Sequence, residues 1–249
     1  MALAKSLHRE YDHAPDTWVR PICTMPIVVA ILFVGCFLAL LGAIAYLSHR
    51  AEKKRTEELK LLAQELGFEF APTGDDAMLQ SLSKFQLFSQ GHSHKLSNLM
   101  RGTSNNLDVA VFDYKYVTGH GKGRRTWNHS VICFRFDGPP LPAFSLRPEN
   151  IWHKIGSWFG YKDINFESHP AFSKAYLLRG GDESAIRGLF TDALLDFYEQ
   201  KPGLSTEGAG TTLLYYQHAV RLEPQAIRGF MEDGFKALGL YRADTERGS

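Results

Sequence analysis

The chain is poor in the residues and patterns that usually announce catalysis or nucleic-acid binding. It has three cysteines in 249 residues, too few for the paired framework of a small secreted domain. Cys23 and Cys36 lie before and inside an apolar run, and Cys133 sits in an apolar strand-like pattern, where it reads as a small buried residue. Charge of one sign is also missing, the formal net being +1. Seven of the 28 basic and four of the 27 acidic residues fall in positions 1–55, so the remainder carries 21 and 23, a net of −2. A near-neutral field of that kind argues against DNA or RNA as a partner. No Gly-x-Ser-x-Gly nucleophile motif and no Cys/His set at metal-ligand spacing occurs, so neither cofactor nor metal is expected.

The most consequential absence is local. Pro21 to Ser48 contains no Asp, Glu, Lys, Arg or His. Within it, Ile27 to Leu47 is 21 residues of nearly pure hydrocarbon, and a helix of that length spans about 31 Å, the thickness of a bilayer core. A transmembrane helix over 26–48 is therefore expected, with Ile27, Leu32, Phe37, Leu41 and Leu47 facing lipid. A cleaved signal peptide is the first rival, since Ala43-Ile44-Ala45 resembles a cleavage site, but the run is long and acids as well as bases precede it. A lipoprotein acylated at Cys36 is the second, and the residues after Cys36 stay apolar, which is wrong for a mature N-terminus. Lys5, Arg9 and Arg20 precede the run, while Arg50, Lys53, Lys54, Arg55 and Lys60 follow it closely, so the C-terminal side is expected to be cytoplasmic. Gly35, Ala39 and Ala43 recur at steps of four, a spacing that lets two membrane helices approach closely and so admits a homodimer.

The expected division is an extracytoplasmic segment 1–25, the membrane helix 26–48, a juxtamembrane helix 49–66, a domain over 67–245 and a tail 246–249. Leu59, Leu62, Ala63 and Leu66 give the juxtamembrane helix one apolar stripe, and Gly67 stops it. A short strand at 68–71 and a short helix near 77–82 follow. His92 and His94 read as loop histidines, with no third ligand to complete a metal set. The clearest domain element is a hairpin over 108–136. Ala110, Phe112, Tyr114 and Tyr116 alternate with Val109, Val111, Asp113, Lys115 and Val117.

The hairpin tip, Thr118 to Arg125, holds three glycines and the cations Lys122, Arg124 and Arg125. It fails as a nucleotide P-loop, because Gly123 follows Lys122 and the next element is a strand. A basic tip touching anionic head groups or a protein partner fits better. Pro148 opens an expected helix to about Phe159, whose Trp152 and Trp158 stand beside lysines, suiting either a membrane interface or packing on the sheet.

A strand at 175–179 precedes one helix capped by Asp182 and running to about Gln200; a hairpin over 204–217 and a last helix over 224–240 complete the chain. The fold class is α+β, an antiparallel sheet with helices packed on one face. The element order admits two βαββ halves, 68–116 and 175–217. Thr56-Glu57-Glu58-Leu59, Phe112-Asp113-Tyr114-Lys115-Tyr116, Thr118-Gly119-His120-Gly121-Lys122, Pro148-Glu149, and Asp182-Glu183 with Leu189-Phe190 resemble segments of uncharacterised bacterial proteins with one N-terminal membrane helix and a cytosolic domain. The resemblance implies that layout and no activity. The expected function is a binding or scaffold module tethered to the inner membrane, with the lipid bilayer and an unidentified protein as partners. The alternative is a membrane-face hydrolase, using His120, Lys122 and Asp113, or Glu149 with His153.

Overall fold

A computed structural model describes residues 27–74, 76–104, 106–149 and 162–243. The segment 1–25, residues 150–159 of the helix expected from Pro148, with Trp152, His153 and Trp158, and the tail 246–249 lie outside the described residues. The contacts divide the chain into two compact units, residues 1–50 and 51–249.

In the first unit the apolar run is helical. α1 spans Ile27–Glu65, so the span and the juxtamembrane helix are one element. Its apolar side chains from Ile31 to Leu47 stand exposed, Phe37 at 60%. Among the described residues it is the one helix long and apolar enough to cross a membrane. In the second unit, Leu59 and Ala63 on α1 are buried, with Leu62 and Leu66 packed beside them. Gly67, at φ 70°, ends the helix. Phe68 N–H bonds the Ala63 carbonyl at 2.8 Å and Gly67 N–H bonds that of Gln64 at 3.1 Å, closing the last turn in a Schellman motif.

The rest of that unit is built on one eight-stranded antiparallel sheet, ordered β1-β2-β3-β4-β8-β7-β5-β6. The strands are β1 (Glu69–Thr73), β2 (His92–Ser104), β3 (Leu107–Thr118), β4 (Arg125–Phe136), β5 (Leu141–Pro148), β6 (Tyr176–Gly180), β7 (Leu204–Gly210) and β8 (Thr212–Gln217). Among the described residues six further helices accompany them: α2 (Asp76–Leu82), α3 (Gln86–Ser89), α4 (Pro170–Ala175), α5 (Glu183–Leu189), α6 (Asp192–Gln200) and α7 (Pro224–Ala243). Alternation along β3 and β4 sorts their residues onto two faces. Val109, Val111, Ile132 and Phe134 pack in one core with Leu59, Ala63 and α4 to α7. Phe112, Tyr114, Tyr116, Val131 and Cys133 pack in a second core with Met78, Leu82, Leu87 and Phe88 of α2 and α3.

The sheet is therefore covered on both faces, where helices on one face were expected. The amphipathic pieces over 76–89 are too short to register as a layer in the sequence, yet they supply the cover for four aromatic-rich strands. α7 lies close on the first face at Gly234, where a Cβ would come within 3.2 Å of the Phe134 ring. Both halves carry the strand–helix–strand–strand order, but they pair differently: β1 pairs β2, whereas β6 pairs β5 and β5 pairs β7. The halves meet where β4 pairs β8.

Three local expectations are corrected. His92 and His94, read as loop histidines, open β2, whose pairing with β3 shifts register between His92 and Lys95 and between Ser97 and Met100. Pro148, read as the first residue of a helix, ends β5 opposite Tyr176. The helix expected over 183–200 is two, because Phe190 and Thr191 leave helical geometry and Thr191 starts α6.

Candidate functional site

The most elaborate polar construction in the domain surrounds Asp113 on β3. Its carboxylate is 7% exposed and faces Arg55 of α1, whose side chain is 10% exposed. Arg55 Nε and Nη2 donate to the two carboxylate oxygens at 2.9 and 2.8 Å, a bidentate fork, while Nη1 donates to the Leu222 carbonyl at 2.6 Å. Asn98 Nδ2 at 2.9 Å, Ser130 Oγ at 3.1 Å and Arg221 Nε at 3.1 Å complete the carboxylate's donors. Arg221 also grips Glu52, four residues past the uncharged run, at 2.5 and 2.7 Å, and Thr56 Oγ1 donates to Asn98 Oδ1 at 2.9 Å. Burial pushes the Asp113 pKa up, but Arg55, Arg221 and Asn98 outweigh it and the net shift is downward. Asn98 reaches this position from a left-handed backbone, φ 51°, next to the β2 irregularity.

This arrangement revises two readings of the sequence. Asp113 is a fully solvated-out, donor-saturated anion, not a base waiting beside His120 and Lys122; it lies five residues up β3 from the tip, roughly 17 Å along the strand. Arg55 is inside the domain and so leaves the basic collar, which consists of Arg50, Lys53, Lys54 and Lys60; of these, Lys54 pairs with Glu58 at 3.6 Å. The sequence did carry one signal for the site, a lone acid within the largely apolar stretch Val109 to Tyr114.

The hairpin tip is more structured than a mobile basic loop. Gly121–Gly123 form a 3-10 turn, and Gly119 at φ 70° packs so closely that a Cβ would lie 2.4 Å from the Gly123 carbonyl oxygen. Arg125 lies over the Trp127 ring at 3.8 Å, and Trp127 Nε1 donates to Thr118 Oγ1 at 2.9 Å. His92 stacks on His120 with centroids 5.0 Å apart. Lys122, Arg124 and Arg125 are all exposed. His94 does not pair with His92 around a metal; its Nδ1 meets the Tyr114 hydroxyl at 2.6 Å. Among the described residues no group of three or more His, Cys, Asp or Glu is placed to hold a metal ion.

The second core hides two titratable groups that the sequence did not single out. His129 is fully buried, and neither ring nitrogen has a hydrogen-bond partner. Its ring stacks on Tyr116 at 5.5 Å and meets His218 edge-on at 5.3 Å. Burial, with repulsion from His218 added, lowers its pKa to about 3, and only the Tyr114 backbone pulls the other way. Glu207 on β7 accepts from the Gln86 and Leu87 N–H groups at 2.5 and 3.0 Å and from the Tyr216 hydroxyl at 2.7 Å, pinning α3 to the sheet. Burial raises its pKa against the pull of Arg147 and these donors. Glu207→Gln, which swaps an acceptor for donors facing donors, should cost about 2 kcal/mol of domain stability in urea unfolding; an unchanged midpoint would mean α3 is held by apolar packing alone.

A cavity of about 650 Å³ lies between α2 and β1 to β4, lined by Met78, Ser81, Arg101, Thr103, Cys133 and Arg135 among others. Arg135 donates to Ser81 Oγ at 2.7 Å. Burial pushes the Cys133 thiol up to about 11, which keeps it protonated and a poor nucleophile at neutral pH.

Together these features define an α+β protein whose sheet, covered on both faces, incorporates the end of a long N-terminal apolar helix through a buried ion-pair network. No family model and no curated protein matches the chain. Among solved structures, the crystal structure of the mycobacterial trehalose monomycolate transport factor A, TtfA, is similar in fold, with a TM-score of 0.55 at 12% sequence identity over 77% of this chain and 93% of that one.

Proposed function

We propose that the protein is a single-pass, membrane-anchored binding or scaffold factor serving the transport of envelope lipids, with its sheet domain on the cytoplasmic side of the inner membrane. The observation that carries this reading is α1: its exposed apolar run from Ile31 to Leu47 suits a bilayer, and its later turns supply Arg55, Leu59 and Ala63 to the domain's interior. The structural neighbour, a trehalose monomycolate transport factor, supports the transport setting. Arg50, Lys53, Lys54 and Lys60 beyond the run, against Lys5, Arg9 and Arg20 before it, support the cytoplasmic side. Gly35, Ala39 and Ala43 offer a face for a second copy.

Two differently tagged full-length copies, extracted in mild detergent after cross-linking in intact cells, test this. The expected companions are an integral membrane protein and the second tagged copy, and a C-terminal tag should resist protease added to intact spheroplasts. Release from membranes by alkaline carbonate would overturn the anchor. Capture of no integral membrane protein would overturn the scaffold role, and cleavage of the tag would reverse the orientation.

A further inference from the structure

Beside the Asp113 network, on the same face of the sheet, lies a second pocket of about 370 Å³, lined by Thr56, Lys95, Ser97, Lys115, Asn128 and Arg221 among others. Its charges do not balance. Glu52 and Asp113 are matched by Arg221 and Arg55, which leaves Lys95 and Lys115 in surplus. These two lysines are direct cross-strand partners on β2 and β3. Like charges placed directly opposite in a sheet repel and destabilise it, because their Cβ atoms stand only about 5 Å apart. Lys95, Lys115 and Asn128 are exposed and Ser97 is half-buried, and among the described residues no ion pair or side-chain hydrogen bond holds any of the four.

Asn128 is the partner of Lys115 on β4, so Lys95, Lys115 and Asn128 form one row of unengaged donors across three strands, with Ser97 two residues from Lys95. Asp113, Asn98 and Thr56 line the same pocket, where Asn98 donates to Asp113 and accepts from Thr56. An unrelieved like-charge pair over a polar cavity is the arrangement that a bound anion would stabilise.

We propose that this pocket binds a phosphate group, seated between Lys95 and Lys115 with Asn128 and Ser97 as further donors. Two ammonium groups, an amide and a hydroxyl suit an oxyanion with several acceptor oxygens, whereas a planar carboxylate is matched by the flat fork of an arginine. The cavity is larger than a bare oxyanion fills, so the ligand is a phosphoester whose organic part occupies the remainder. That phosphoester is a lipid head group or a soluble sugar or glycerol phosphate. The assignment does not rest on the transport role proposed above.

The test uses full-length protein in a neutral maltoside detergent, with unfolding temperature and 31P line width as readouts. One arm adds glycerol 3-phosphate. The other adds phosphatidylglycerol to the micelles, against an uncharged diacyl lipid. A saturable rise in unfolding temperature is expected in at least one arm: the first alone identifies a soluble phosphoester, the second alone a head group. Lys95→Gln with Lys115→Gln should weaken binding at least tenfold, while Lys122→Gln with Arg124→Gln at the hairpin tip should leave it within twofold. Without probe, the Lys95/Lys115 double variant should melt at or above the parent temperature, since the repulsion is gone. Lack of stabilisation in both arms, equal loss in the tip variant, retained affinity in the double variant, or a lower melting temperature of that variant without probe would each overturn the assignment.

Discussion

Asp113→Ala is expected to cost the domain about 3–5 kcal/mol, since removing one partner of a buried ion pair leaves the other charge desolvated and unmatched. The stranded group is Arg55, whose side chain is 10% exposed and whose remaining firm acceptor is the Leu222 carbonyl. Asn98, Ser130 and Arg221 lose an acceptor in the same step. Urea unfolding of the full-length protein in mild detergent, followed by tryptophan fluorescence, reads the loss. Arg55→Met combined with Asp113→Leu is the informative partner, because apolar residues of similar volume avoid the uncompensated charge; it should recover most of the stability. A cost below 1 kcal/mol for Asp113→Ala would mean that water reaches the pair.

The pH dependence of this network has a definite sign. The Asp113 pKa is lowered in the folded domain, so its contribution is complete above the ordinary carboxylate value. It is lost only as pH falls below that value and through the depressed one. Near neutrality the network is therefore insensitive to pH.

Particular residues explain what the sequence disclosed and what it hid. The Ile27–Leu47 run and the β3–β4 hairpin were legible because each repeats one pattern without interruption: a charge-free run in the first case, strict alternation in the second. β2 was hidden because its two register shifts, with positive φ at Ser93 and Asn98, break the alternation. What remains visible is Leu96, Leu99 and Met100, at a spacing that resembles a helix. The Asp113 network was illegible for a different reason. Its members lie 58 and 108 residues apart in the chain, and nothing local distinguishes Arg55 from Lys53 and Lys54 beside it. Only the docking of α1 on the sheet turns one of three neighbouring cations inward. The basic residues at the hairpin tip, conspicuous in the sequence, are conspicuous because they are exposed. The Lys95–Lys115 pair carries more physical tension and drew no notice, since cross-strand neighbours are defined by register rather than by position.

His129 should make the domain lose stability steadily as pH falls from about 6.5, at a limiting rate of about 1.4 kcal/mol per pH unit. Its folded pKa is lowered to about 3 from an ordinary 6.5, so in that interval the unfolded chain takes up a proton that the folded domain refuses. Stability is thus complete above the unfolded value and declines on acidification. His218, lowered to about 4 by burial and then by Arg147 and Arg125, acts in the same direction, with less weight because it is partly exposed. Glu207 opposes both: its pKa is raised, so its own contribution is present at low pH and is lost as pH rises.

His129→Phe separates these terms. The ring can keep its stacking on Tyr116, and neither imidazole nitrogen has a partner in good hydrogen-bond geometry, so the swap gives up only the pull of the Tyr114 backbone. The six-membered ring is larger than the imidazole, so at pH 7.5 the variant should fall below the parent by about 1–3 kcal/mol of overpacking. Between pH 7.5 and pH 5 the difference between them should move in the variant's favour by about 2 kcal/mol, the penalty of a refused proton over one and a half pH units. Urea midpoints of parent and variant at pH 7.5, 6 and 5 give the comparison directly. Equal slopes for the two proteins would show that His129 takes up its proton in the folded state, which requires the Tyr114–Tyr116–His129–His218 packing to open around a charged ring.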